Sequence, residues 1–181
     1  MNVCVFCSSS NEIAEEYRED ARLLGEVIGK KSYTLVYGGA NMGLMQECAM
    51  AVKLSGGSVI GVIPDSFRKK VEQKVLDQVF FVGSLAERKE LMMEYADVFV
   101  ALPGGIGTLD EVFEVLALAM IDNHHKKVLF LNTHGYYTHL VAHIEHSIQE
   151  KCVHPAMKNS YIVVNTVDEC MAYIDKENVV K

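Results

Sequence analysis

Leu-Pro-Gly-Gly-Ile-Gly-Thr-Leu-Asp-Glu, residues 102–111, is the stretch on which the fold turns. The apolar run Val98-Phe99-Val100-Ala101 feeds into it, and the amphipathic run Val112-Phe113-Glu114-Val115-Leu116 leaves it. Such a passage reads as strand, glycine turn and helix. Gly104, Gly105 and Gly107 carry no Cβ, so a ligand can approach the backbone there. Thr108 is the expected N-cap, and the first amides behind it are unpaired donors at the positive end of a helix dipole. A turn of this kind binds an anion, most often a phosphate. It also places Glu111 three residues into the helix, where its carboxylate faces whatever the turn holds.

Outward from this turn, strand-like and helical runs alternate along the whole chain. The patterns predict strands at 2–7, 33–37, 58–63, 97–102, 127–131 and 161–164, with a short extra one near 78–82. They predict helices at 14–31, 43–55, 84–95, 108–122, 135–149 and 167–175. The strands are apolar over their full length, as in Val59-Ile60-Gly61-Val62-Ile63, which is the mark of a parallel sheet covered on both faces. Alternating βα units with short connections imply an α/β fold, a Rossmann-like, doubly wound, mainly parallel sheet flanked by helices. One nucleotide-binding domain is expected over 1–181. Residues 65–77, charged and weakly patterned, are expected to form a mobile lobe over the site.

Composition narrows the function. The chain has 181 residues, half of them hydrophobic, enough for one full core. No apolar run approaches the ~18 residues of a membrane span, and Met1-Asn2-Val3-Cys4-Val5-Phe6 reads as a first strand, not a signal peptide. A net charge of −7 argues against general nucleic-acid binding. Five cysteines without export signals imply free thiols and a cytoplasmic protein. Cys4 and Cys7 have redox C-x-x-C spacing, but on a strand they face opposite sides, so they read as core.

In such a sheet, ligands bind beyond the carboxyl ends of the strands. Two further loops are expected there beside the 102–111 turn. Ser8-Ser9-Ser10 follows the first strand, with Ser8 and Ser9 placed for phosphate or ribose. Gly38-Gly39-Ala40-Asn41-Met42-Gly43 follows the second, with Gly39 and Gly43 in a helix-opening turn. Gly38 and Gly43 have Walker A spacing, yet Leu44-Met45 stand where Lys and Ser/Thr are needed, which argues against ATP hydrolysis. Gly105-Ile106-Gly107-Thr108-Leu109-Asp110 fails the dinucleotide fingerprint at its last position, and the next strand ends in Asn132 instead of an acid. Upstream, Arg88 and Lys89 stand early in a helix; a planar guanidinium suits a phosphate or an anionic transition state, while a solvated helix face is the plain alternative.

These residues resemble a known family. Pro103-Gly104-Gly105-x-Gly107-Thr108-x-x-Glu111 matches the signature of the LONELY GUY family, the cytokinin riboside 5′-monophosphate phosphoribohydrolases. Arg88-Lys89 match the pair that precedes it. Val36-Tyr37-Gly38-Gly39, Gly43-Leu44-Met45, Gly61-Val62-Ile63-Pro64 and Gly135-Tyr136-Tyr137 match other blocks, so the resemblance spans nearly the whole chain in order. It implies hydrolysis of the N-glycosidic bond of a nucleoside 5′-monophosphate, AMP being the safer expectation than a cytokinin riboside 5′-monophosphate. It implies that Arg88 and Glu111 are the catalytic pair and that Lys89, Met92, Gly105, Ile106, Gly107, Thr108, Leu109 and Asp110 bind substrate, with Gly104 shaping the turn. It also implies a homodimer or larger homo-oligomer. The chemistry calls for neither metal nor cofactor: a carboxylate can stabilise an oxocarbenium-like ribose or activate water, and Arg88 can hold the phosphate or assist the leaving base. The chain departs from the usual pattern at Ala40, Gln46, Leu85, Ala86, Asp110, Ala117 and Leu118.

The competing class is a non-catalytic carrier of a nucleotide or phosphorylated cofactor, which would need neither Arg88 nor Glu111. His139, His143 and His146 share one face of a helix, but no carboxylate or cysteine pattern completes a metal site; Glu145 is turned away. Glu114, one turn past Glu111, is expected either to support the catalytic carboxylate or to make a helix surface pair.

Overall fold

The computed structural model describes residues 1–70, 73–121 and 124–179. Among these residues, seven parallel strands form one sheet: β1 Asn2–Phe6, β2 Thr34–Tyr37, β3 Ser58–Pro64, β4 Gln78–Val82, β5 Val98–Ala101, β6 Val128–Leu131 and β7 Tyr161–Val164. Their order is β4-β3-β2-β1-β5-β6-β7, so the chain builds outward from β1, then returns to lay β5 on β1's other side. The doubly wound α/β expectation holds. The switch in direction falls between β1 and β5, the place where such sheets open a crevice for ligands.

Among the described residues, six helices cover the sheet: α1 Glu15–Lys30, α2 Gly43–Leu54, α3 Leu85–Tyr95, α4 Ile106–Met120, α5 Thr138–Gln149 and α6 Val167–Val179. Residues of α1, α2 and α6 share one apolar cluster with Val3, Val5 and Cys7; those of α3, α4 and α5 share the other with Cys4 and Phe6. The alternation along β1 thus supplies both cores, and Cys4 and Cys7 lie on opposite faces, each a buried free thiol. Near-continuous burial of the central strands explains their unbroken apolar sequence.

Three boundaries differ from expectation. The helix predicted from Thr108 begins at Ile106, with Gly105 as its N-cap in extended conformation (φ −89°, ψ −153°). Thr108 is therefore the third helical residue, not the cap. Its side chain packs over Gly104, where an added Cβ would fall 2.2 Å from the Thr108 Oγ1. Pro103-Gly104-Gly105 alone complete the turn, and Glu111 lies six residues into the helix instead of three. The predicted last residue of that helix, Asp122, lies outside the described residues. The helix predicted from 135 begins at Thr138, because Thr133–Gly135 form a 3-10 turn in which Gly135 takes φ +74°. The final helix runs past 175 to Val179. Within 65–77, whose residues 71 and 72 are outside the description, 3-10 turns occupy Asp65–Lys70 and Gln73–Val75, and the Arg68 guanidinium lies 3.7 Å over the Phe81 ring.

Phe99 sits at the centre of one core, wholly buried and stacked on Phe6 with ring centroids 5.7 Å apart. Phe99→Ala is expected to lower unfolding free energy by about 3–5 kcal/mol, the range for emptying an aromatic core site, read as a shift in urea midpoint. A loss below about 1 kcal/mol, as for a surface position, would contradict this packing.

Candidate functional site

The switch point brings three loops together by backbone hydrogen bonds. Ser8 N–H donates to the Pro103 carbonyl (3.1 Å), Leu102 N–H to the Phe6 carbonyl (3.0 Å) and Leu44 N–H to the Ser8 carbonyl (2.9 Å). The helix-opening turns after β2 and β5 are thereby held against the serine loop after β1. Gly43, at φ +56°, lies so close to this loop that a Cβ would stand 2.6 Å from the Ser9 backbone, and its N–H donates to Asn11 Oδ1 at 2.9 Å. Ser8 Oγ accepts from Ser10 N–H at 3.1 Å, which shapes the turn. From the far side, Tyr136 donates its hydroxyl to the Gly104 carbonyl (2.7 Å) and Tyr137 to the Leu102 carbonyl (2.6 Å). These two hydroxyls anchor the 102–105 turn. Their sequence signal was the Gly135-Tyr136-Tyr137 block, which by itself named no partner.

A cleft of about 350 Å³ opens between these loops, lined by Ser8, Ser9, Gly105, Gly107, Thr108 and Asp110 together with Arg88, Lys89 and Glu111. The first amide to close on the helix is that of Leu109, donating to Gly105 at 3.0 Å, so the amides before it are the free donors of a helix start. An adjoining lobe of about 480 Å³ shares Ser9, Met45, Leu85 and Arg88 with this cleft and is otherwise lined mainly by apolar groups, with Gly39 in its wall. Phe67 of the 65–77 segment borders that lobe.

Arg88 and Glu111 come from α3 and α4 and meet at 2.6 Å between Nη1 and Oε1, with side chains only 11% and 5% exposed. Arg88 Nε donates to the Val62 carbonyl at 3.1 Å. The guanidinium crosses directly over Gly38, where an added Cβ would lie 1.8 Å from Nη2. No side chain larger than hydrogen is compatible with that crossing, a role for Gly38 that only the folded arrangement reveals. Burial holds the Glu111 carboxyl above its ordinary range, while the Arg88 charge and hydrogen bond pull it back down. Beside this pair, Lys89 Nζ binds both Asp110 oxygens (3.0 and 2.9 Å) and also Glu114, and its pKa is raised by these partners, Glu114 first. Glu114 therefore braces Lys89 rather than touching Glu111's own carboxyl.

The other expected site residues are placed as follows. Met92 is fully buried in the α3–α5 core and lines neither lobe; Leu109 packs against the same core. Ile106 is 83% exposed. Gly104 lies buried beneath Thr108. Cys7 borders the cleft, but burial pushes its thiol far above the range of a nucleophile at neutral pH. His139, His143 and His146 are exposed on α5, away from the cleft lining.

Comparison with known proteins identifies the family. The family described as possible lysine decarboxylase matches residues 42–174. A cytokinin riboside 5′-monophosphate phosphoribohydrolase of Rhodococcoides fascians is 39% identical over 175 residues, 96% of this chain and 88% of that protein. A probable cytokinin riboside 5′-monophosphate phosphoribohydrolase of Oryza sativa subsp. japonica is 44% identical over 161 residues, 88% of this chain and 71% of that one. The chain belongs to the LONELY GUY family. The LONELY GUY fold is shared more widely: the Moco carrier protein of Chlamydomonas reinhardtii superposes with a TM-score of 0.75 at 22% identity, over 99% of this chain and 98% of that one. The molybdenum cofactor binding protein of Rippkaea orientalis gives 0.72 at 20%, over 99% and 97%. At such identities the likeness is one of fold.

The opposing influences on Glu111 can be separated. In Arg88→Met the main lowering influence is gone while burial remains, so the Glu111 carboxyl is expected to titrate at still higher pH, followed by carboxyl-carbon NMR. An unchanged or lower midpoint would contradict the pairing.

Proposed function

We propose that residues 1–181 form a single nucleotide-binding domain that hydrolyses the N-glycosidic bond of nucleoside 5′-monophosphates, AMP or a cytokinin riboside 5′-monophosphate, to free base and ribose 5-phosphate. The observation that carries this reading is the buried Arg88–Glu111 pair at the junction of the two lobes, directly beside the start of α4. The 5′-phosphate occupies the amide-rich turn of Gly105, Ile106, Gly107 and Thr108, where the helix start favours an anion. The base extends into the apolar lobe, which leaves the ribose at the Arg88–Glu111 junction.

Departure of the base builds positive charge on the ribose. The ionised Glu111 stabilises that charge and orients the attacking water, while Arg88, which lines both lobes, assists the departing base. Lys89, held by Asp110 and Glu114, keeps α3 and α4 in register so that the pair meets. The reaction takes place in the cytoplasm, a compartment that suits the five free cysteines. The working form is a homodimer or larger assembly, supported by the apolar stripe on the outer face of α4: Ile106 and Ile121 are 83% and 73% exposed, Phe113 41%.

With AMP as substrate, adenine release is expected, and Glu111→Gln should lower it roughly 10²- to 10⁴-fold while AMP still binds. Because the raised carboxyl must be ionised to act, kcat/KM of the parent should fall as pH drops through a midpoint above the ordinary ~4.3 of glutamate. A Glu111→Gln protein as active as the parent would defeat the assignment. In sedimentation, the parent should run at twice or more the 20.2 kDa chain mass and Phe113→Glu/Ile121→Glu at the chain mass; a monomeric parent would refute the assembly.

A further inference from the structure

The apolar lobe is walled by Met42, Met45, Ile63, Pro64, Phe67 and Leu85. Three of its lining residues carry polar side chains: Ser9, Asn41 and Arg88. Ser9 and Arg88 also border the polar cleft, and Arg88 is committed to Glu111 and the Val62 carbonyl. Asn41 belongs to the apolar lobe alone. It stands two residues before α2, one short of the N-cap position at which an asparagine ordinarily caps a helix. Here it does not. Met42 takes the N-cap position in extended conformation without a side-chain cap bond, and the Gly43 N–H is satisfied by Asn11 instead. The Asn41 amide makes no hydrogen bond among the described residues. It is half-buried with its polar atoms still open to solvent, so one acceptor and two donors on the wall of an apolar lobe remain available to a ligand.

We infer that Asn41 is the residue that reads the nucleobase, and that it selects 6-aminopurines through their N6–H and N7. The inference rests on the nucleoside 5′-monophosphate reading of the site. An asparagine amide pairs with adenine in this way, its oxygen accepting from N6–H and its NH2 donating to N7. Hypoxanthine presents an acceptor at both positions, which sets the amide oxygen against O6. An N6-alkylated adenine keeps one N6–H and the same N7, so both bases named above satisfy the amide. The methionine, isoleucine, proline and phenylalanine wall holds the faces of the ring without reading its edge. Specificity for the base therefore resides in one side chain, and affinity in the rest.

The test compares AMP with IMP. Base release gives kcat/KM for each, and calorimetry on the Glu111→Gln protein gives binding of each without turnover. The parent should favour AMP over IMP by roughly 5- to 150-fold, the discrimination of one bidentate amide–base pair, mainly through KM. In Asn41→Ala the AMP-to-IMP ratio should collapse toward one in both assays. Equal handling of AMP and IMP by the parent overturns the inference, as does an Asn41→Ala protein in which the ratio survives while both substrates weaken together. If AMP is bound in preference to IMP through Asn41 but no base is ever released, the base-reading role stands and the hydrolase reading falls.

Discussion

An arginine and a glutamate, both almost out of water, meet at 2.6 Å where α3 and α4 begin, and the rest of the site is arranged around that contact. Such pairs are poor instruments of stability. Desolvating two charges costs several kcal/mol per ion, which their attraction only offsets when the geometry is good, and apolar replacements of similar size are often no worse. Losing one partner is the expensive event, because the other charge stays behind. This pair stands at the wall of an open cleft, within reach of whatever the cleft takes up. Its cost is visible in Glu111, whose carboxyl burial pushes up against the opposing pull of Arg88.

The sheet makes the contact possible. Returning from β4 to lay β5 beside β1 brings the α3 start, the serine loop and the α4 turn to one edge. Arg88 can span from the Val62 carbonyl to Glu111 only because Gly38 has no side chain beneath it. The α4 turn, in turn, is set from below by Tyr136 and Tyr137, two hydroxyls from the segment after β6 that donate to turn carbonyls. The helix-opening turn of the cleft is thus shaped by residues that do not line it.

The same fold is found in cofactor-binding proteins at 20–22% identity, with TM-scores of 0.72–0.75. Backbone likeness at that level cannot distinguish a carrier from an enzyme, since function resides in the side chains grafted onto the fold. The relatives at 39–44% identity are named for one activity, and the discriminating group in this chain is the ion pair rather than the glycine turn. A carrier needs the cradle. It has no use for a buried carboxylate paired with an arginine at the cleft wall.

Local chemistry made the strands, the helices and the glycine turns readable from the chain alone, because apolar periodicity and the lack of Cβ atoms act over a few residues. The anion-binding turn and the candidacy of Arg88 and Glu111 belong to the same level, aided by the family signature. Thr108 shows where that level ends: its residue type suits a cap, yet the turn closes two residues early and the hydroxyl packs inward over Gly104. Met92 was expected at the ligand and lies in the core, since a helical position does not state which side faces the sheet. The pairing of Arg88 with Glu111, 23 residues away, the crossing over Gly38, and the unused amide of Asn41 were decided only by tertiary packing. Each depends on which elements the winding order makes neighbours, and that order is a property of the whole sheet, not of any segment of it.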